Sequence, residues 1–221
     1  MSVTRPIGRF KGLRIVPRAA ALGLLLAASA LPARAADYAA RFQAECMPCH
    51  GPGGVSSTPG TPTLAGQPSF YAVTQLFLFR AGRRDNAAMT AVGQRMSDDD
   101  LRGFSEAIAK LPPAPRASHE QPADTAMQRR GASLATKLHC RGCHGRDFSG
   151  GDQVPRLAGQ REEYLLSALE GFRSARRVGY TQAMNEALAG VDAQGLRDLA
   201  HYLARFEPTP KAAGATARKP R

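Results

Sequence analysis

The run Cys46-Met47-Pro48-Cys49-His50-Gly51 returns 94 residues later as Cys140-Arg141-Gly142-Cys143-His144-Gly145. It does not return alone. Leu64-Ala65-Gly66-Gln67 recurs as Leu157-Ala158-Gly159-Gln160, and Tyr71 and Phe79 recur as Tyr164 and Phe172, each at an offset of 93 residues. Met89 recurs as Met184 and Leu101 as Leu196, both at an offset of 95. Landmarks that keep their order while their spacing drifts by one or two residues mark a duplicated unit with loops of unequal length. The chain is therefore expected to hold two tandem domains, at residues 36–111 and 125–208, joined by a proline-rich linker at 112–124 that reads as extended and poor in apolar side chains.

Two basic ends lie outside the repeat. Residues 1–35 carry Arg5, Arg9, Lys11, Arg14, Arg18 and Arg34 and no acid, around an apolar run from Ala19 to Leu31 that ends in Pro32 and Ala33-Arg34-Ala35. A basic start, a short apolar middle and a small-residue site read as a secretory signal peptide, with cleavage expected after Ala35 or Ala36. That run has 13 residues, whereas a helix crossing a bilayer needs about 20. Without the leader the formal charge falls from +12 to +6, and Lys211, Arg218, Lys219 and Arg221 in the tail at 209–221 account for four of those charges. The folded part is left with no concentrated basic face, so no nucleic-acid partner is expected.

Each repeat reads as helical, and nothing alternates like a strand over a useful length. Helical segments are expected at Ala39–Glu45 and Ala126–Leu138 before the cysteine motifs, and at Phe70–Phe79 and Tyr164–Phe172 after the glutamines. In the Phe70–Phe79 segment Phe70, Val73, Leu76 and Phe77 fall at near-helical spacing. A last helix opens on Ser97 as cap with Asp98, Asp99 and Asp100 in its first turn, where acids suit the helix dipole. Its apolar face is Leu101, Phe104, Ile108 and Leu111; the second copy has Asp192 as cap and the stripe Leu196, Leu199, Leu203 and Phe206.

Four cysteines in 221 residues are too few to build a disulfide scaffold, so their spacing is informative. The run Cys-x-x-Cys-His is the attachment signature of c-type haem: two thiols add to the vinyl groups and the adjacent histidine supplies an axial nitrogen to iron. A disulfide or thioredoxin-like pair, or a zinc site, would be the other uses of these residue types. Zinc needs four convergent ligands, whereas each repeat offers one complete haem motif. Cys46, Cys49, Cys140 and Cys143 are thus the expected covalent attachment points, and His50 and His144 the expected iron ligands.

A sixth ligand decides between electron transfer and catalysis, because an iron with both axial positions filled does not readily bind oxygen, peroxide or substrate. Met89 and Met184 are the methionine pair related by the repeat. Met96 competes in the first domain, although its counterpart Val191 reads as core; Met47 and Met127 read as surface or packing. His119, His139 and His201 have no counterparts and read as solvated or partly packed imidazoles, with a bis-histidine iron as the alternative. Pro62 and Pro155, each two residues before the Leu-Ala-Gly-Gln run, are either turn prolines or the source of a carbonyl that orients the axial imidazole through its second nitrogen. Arg80, Arg83 and Arg84, with Arg173, Arg176 and Arg177, are either haem propionate partners or solvated helix-end charges. Tyr71 and Tyr164 either pack on the haem or are ordinary amphipathic residues.

With these residues in place the chain resembles the tandem di-haem class I cytochromes c of the cytochrome c4 family, over about residues 38–207. The resemblance implies an all-α fold: two tandem class I cytochrome c domains, each wrapped around a covalently attached haem ligated by His and Met. It further implies packing about a pseudo-two-fold axis with propionates near the interface, in an exported, periplasmic protein passing electrons from a quinol-oxidising complex to a terminal oxidase or reductase. The chain departs from that pattern in a longer second methionine loop, with 12 residues from Phe172 to Met184 against 10 from Phe79 to Met89. The basic tail after Pro210 is an addition, read either as disordered or as a contact for anionic lipid or an acidic partner.

Three functions compete at this point. The first is a carrier without substrate chemistry, docking weakly and transiently on its redox partners. The second is the electron-accepting cytochrome subunit of a periplasmic dehydrogenase for sulfide, an alcohol or a similar reductant. The third is a di-haem peroxidase or sulfur-compound oxidase, which would need an open iron position that the duplicated methionine argues against. Under any of them each domain folds around its haem, so an apoprotein with all four cysteines replaced by alanine is expected to lose cooperative thermal unfolding, as followed by circular dichroism.

Overall fold

The structure is a computed structural model that describes residues 37–114, 122–177 and 182–207. The leader, the part of the linker that holds His119, and the basic tail lie outside the described residues. Among the described residues there is no strand, only an isolated bridge between Gly151 and Val154. The helices of the first domain are α1 (Tyr38–Glu45), α2 (Met47–His50), α3 (Ser69–Arg80), α4 (Ala87–Gly93) and α5 (Asp98–Lys110). The second domain repeats them as α6 (Thr125–Lys137), α7 (Cys140–His144), α8 (Glu162–Arg173), α9 (Ala183–Leu188) and α10 (Ala193–Ala204).

Local chemistry starts these helices where the side chains allow it. Asp37 and Asp124 each accept two backbone N–H groups at the heads of α1 and α6. Ser97 and Asp100 form a reciprocal capping box on α5, and Asp192 accepts the Gly195 amide on α10. The helices that bear Met89 and Met184, α4 and α9, are a finding of the structure. They span only seven and six residues, too short for periodicity to announce them, although Asn86 caps α4 through the Met89 amide.

Each domain packs its last helix against the others. Phe42, Ala72, Leu76, Leu101, Phe104 and Ile108 form the first core; Leu165, Leu169, Leu196, Leu199 and Leu203 hold the matching positions in the second. Of the expected stripes, Leu101, Phe104 and Ile108 on α5 and Leu196, Leu199 and Leu203 on α10 are buried, whereas Leu111 and Phe206, just past the helix ends, are partly buried. On α3 the outcome differs: Phe70 and Phe77 are 45% and 44% exposed, while Ala72, Leu76, Leu78 and Phe79 are buried. Residues seven apart share one face of a helix, and this one faces solvent; the same positions in α8 are Glu163 and Glu170.

The linker is also less free than its composition suggests. Ala114 is buried and Pro113 lies against Gly66, so its first residues pack on the first domain. At its other end the Asp124 amide donates to His201 Nε2 at 3.1 Å. His201, expected to be solvated or partly packed, is only 5% exposed, with Nδ1 at 3.1 Å from Glu162. Glu162 also pairs with Arg205, so this cluster joins the linker, α8 and α10.

The two cores place a phenyl ring beside the loop after the cysteine motif by different means. In the first, Phe42 on α1 lies beside Gly54, whose φ is +73°. In the second, the counterpart of Phe42 is Ala135 and the counterpart of Gly54 is Phe148, fully buried at φ +54° and packed edge-on against Tyr202 and Phe206. One phenyl ring fills the core in both domains, supplied by a helix in one and by a left-handed loop residue in the other. Phe148→Gly is expected to destabilise the second domain by about 3–5 kcal/mol for the lost ring, offset by about 1–2 kcal/mol as left-handed strain is released. Adding Ala135→Phe should recover part of the loss, and a double-mutant cycle in chemical denaturation would read the coupling.

Candidate functional site

The same loop follows both cysteine motifs. The carbonyl of the left-handed residue, Gly54 or Phe148, accepts the amides of Leu64 and Ala65 in one domain and of Leu157 and Ala158 in the other. That closure brings Pro62 and Pro155 over the histidines. His50 Nδ1 donates to the Pro62 carbonyl at 2.8 Å, and His144 Nδ1 to the Pro155 carbonyl at 3.0 Å. Both imidazoles are 6% exposed. Burial lowers both pKa values against the opposing effect of the carbonyl, so both rings are held neutral with Nε2 as the free lone pair.

The histidines share a continuous cavity of about 600 Å³ with Met89 and Met184. Apolar walls come from Leu76 and Ile108 in the first domain and from Leu165, Leu169 and Leu203 in the second. Met96 lies outside the cavity; it packs against the first core and its carbonyl accepts from Arg80. Among the cysteines, Cys46 and Cys140 are partly buried and Cys49 and Cys143 exposed. Cys140 and Cys143 line the cavity directly. His139, the second of the two residues between α6 and α7, has φ +53° and lines the cavity.

These residues suit a large flat ligand with an apolar body, an iron centre and an anionic edge. Two neutral imidazole nitrogens and two thioethers face one space, and Arg156 Nε is buried there without a hydrogen-bond partner. Of the six arginines singled out by the repeat, Arg84, Arg176 and Arg177 line the cavity; Arg80 pairs with Asp98, Arg83 is exposed, and Arg173 donates to the Val191 carbonyl.

The cavity is closed by contacts between the domains that obey the repeat. Gln67 takes the Arg156 amide at 3.1 Å and donates to the Arg156 carbonyl at 2.9 Å. Gln160 takes the Thr63 amide at 2.8 Å and donates to the Thr63 carbonyl at 2.9 Å. Gln67 and Gln160 are repeat equivalents, as are Thr63 and Arg156, so the pairing is reciprocal about a pseudo-two-fold axis. Arg84 donates to Tyr164 Oη and Arg177 to Tyr71 Oη, again in crossed pairs. The role of the glutamines is not visible in the sequence, although their recurrence was the signal that could have pointed to them. Gln160→Leu leaves the buried Thr63 amide and carbonyl unpaired, costing about 1–3 kcal/mol for each group. The expected result is faster hydrogen exchange at Thr63 and faster proteolysis of the linker.

The comparisons with known proteins fall on both halves. Residues 33–105 match the family model for "Cytochrome C oxidase, cbb3-type, subunit III", and residues 128–207 match the model for "Cytochrome c". The chain is 32% identical to cytochrome c4 of Thiocapsa roseopersicina, over 74% of this chain and 88% of the relative. It is 30% identical to a thiosulfate dehydrogenase electron acceptor of Thiomonas intermedia, over 77% of this chain and 81% of the relative. Among solved structures, reduced recombinant cytochrome c4 from Pseudomonas stutzeri superposes with a TM-score of 0.69 at 27% identity, covering 77% of this chain and 97% of that one. The duplicated helical fold, the two cytochrome c domains and these relatives together place the chain in the cytochrome c4 family, as an electron-transfer protein with two covalently bound haem c groups.

Proposed function

We propose that the chain is a periplasmic carrier that takes electrons from a respiratory donor complex and delivers them to a terminal oxidase or reductase, after export directed by residues 1–35. In this reading Cys46 and Cys49 would hold one haem, with His50 supplying a nitrogen and Met89 a sulfur to its iron, and Cys140 and Cys143 would hold the other, with His144 and Met184 in the same roles. Each haem supplies a one-electron ferric–ferrous couple when bound. The chain's own part is to fix each imidazole through the Pro62 or Pro155 carbonyl, to present a thioether as second ligand, and to keep water away with leucine walls. Second-sphere hydrogen bonds of this kind orient a ligand and raise its basicity. The observation that carries the reading is the pair of His–Pro bonds, which leaves both Nε2 atoms free in a cavity shared with one methionine per domain.

No helix among the described residues is long and apolar enough to cross a membrane, which suits a carrier that meets its partners by diffusion. A second reading makes the chain the electron-accepting cytochrome of a periplasmic dehydrogenase, and the relative from Thiomonas intermedia favours it. Reduction by thiosulfate in the presence of a thiosulfate dehydrogenase, but not by a quinol-oxidising complex, would select that second reading.

An optical redox titration tests the ligand assignment. Two haems per chain are expected, each with the near-infrared band of methionine sulfur on ferric iron. Met184→His should remove half of that band and lower one potential, because a thioether favours ferrous iron relative to imidazole. A full band in that variant, or in the matching Met89→His variant, would overturn the assignment for that domain.

A further inference from the structure

An asparagine stands close to each cavity methionine, but on opposite sides of it. In the first domain it is Asn86, three residues before Met89; in the second it is Asn185, the residue after Met184. At the repeat offset of 95 the counterpart of Asn185 is Thr90, and that of Asn86 is Thr181, which lies outside the described residues. The duplicated unit therefore keeps the residue type at each methionine and not its position.

The two side chains also work through opposite ends. Asn86 caps α4: it accepts the Met89 amide at 2.9 Å, and it lines the cavity. An N–H group faces it, so its oxygen is the end in use. Asn185 meets two carbonyls, that of Phe172 in the last turn of α8 at 2.7 Å and that of Arg177 at 3.1 Å. Carbonyls only accept, so the amide nitrogen faces them and both of its hydrogens are taken. The Asn185 oxygen is buried with no hydrogen-bond partner among the described residues. An unpaired buried oxygen is costly, and the bonds that offset it are those of the nitrogen. Gln182 at the head of α9 makes no side-chain cap. A polar tie from α9 to α8 and to the longer loop thus comes from Asn185, after the methionine instead of before it.

We propose that Asn86 and Asn185 are positioning residues that hold Met89 and Met184 in the cavity through opposite ends of the same side chain, Asn86 as an acceptor and Asn185 as a donor. This rests on the reading of both methionines as iron ligands. A helix of seven or six residues has little stability of its own, so a side-chain bond at or beside the methionine decides where the thioether stands. A thioether held in place keeps the iron closed to small ligands, as a carrier without substrate chemistry requires.

The test uses the full di-haem chain, with imidazole as the competing ligand. Wild-type haem content and the methionine band are read first; a missing band there ends the ligand assignment, whereas the variants test the asparagines alone. Imidazole is then titrated against the ferric protein, with loss of the near-infrared band reporting displacement of methionine and haem methyl resonances assigning it to a domain. Aspartate has the shape of asparagine and keeps the acceptor without the donor. Asn86→Asp is therefore expected to leave both imidazole affinities near wild type, while Asn86→Ala tightens binding at the first-domain haem about fivefold for the lost cap. Asn185→Asp should tighten binding at the second-domain haem roughly tenfold or more for two lost bonds and leave the first unchanged. If Asn185→Asp does not assemble, Asn185→Thr carries the same expectation, because it installs the residue of the other repeat with one donor in place of two. Three results would overturn the proposal. One is the same behaviour in Asn86→Asp and Asn86→Ala. Another is wild-type imidazole affinity in the Asn185 variants, even where thermal unfolding shifts, which would leave Asn185 a purely structural residue. The last is an equal shift at both haems, which would mark a general loosening of the protein.

Discussion

Much of this structure hangs on one backbone carbonyl per domain. The residue four positions after each motif histidine, Gly54 or Phe148, adopts a left-handed conformation and offers its carbonyl to two consecutive amides of the Leu-Ala-Gly-Gln run. That closure places the preceding proline carbonyl against the buried imidazole and sends the following glutamine across to the other domain. The orientation of the buried imidazole and the docking of the domains are therefore set by one turn, and a change in either would be felt by the other. Glycine enters such a conformation without steric cost, whereas Phe148 carries strain that its buried ring offsets through contacts with Tyr202 and Phe206.

The cavity has two kinds of wall. Its leucine-rich sides and methionine thioethers exclude water, which raises the strength of every electrostatic interaction inside. Its seam between the domains is polar and is satisfied reciprocally: buried amides pair with side-chain amides, and guanidinium groups with phenols. A pairing that repeats under a pseudo-two-fold rotation needs complementary residues at only half as many independent positions as an unsymmetric interface. Arg156 opposite Thr63 is the departure from that symmetry, and it leaves the second domain with one cation more on the wall.

One divergence between the two cores is paired: Phe42 beside Gly54 becomes Ala135 in the same core as Phe148, so the large group moves from a helix to a loop and the small one takes its former place. Close-packed interiors require this, because a one-sided change leaves a void or a clash. The aromatic face of α3, with Phe70 and Phe77, has no such compensation and becomes Glu163 and Glu170 in α8, as solvent-facing positions permit.

The sequence by itself determined the duplication, the helical character, the haem chemistry of each repeat and the capped last helices, because all of these depend on spacing and residue type within a few turns of chain. It also marked which methionine recurs, and the cavity contains Met89 and not Met96. The short helices α4 and α9, the burial of His201, the outward face of α3 and the bridging glutamines were decided only by the tertiary structure. Their reasons lie in partners far along the chain: Gln67 meets Arg156, Arg84 meets Tyr164, and Asp124 meets His201. A recurring residue announces that it matters, but the group that satisfies its hydrogen bond is known only when the two domains are brought together.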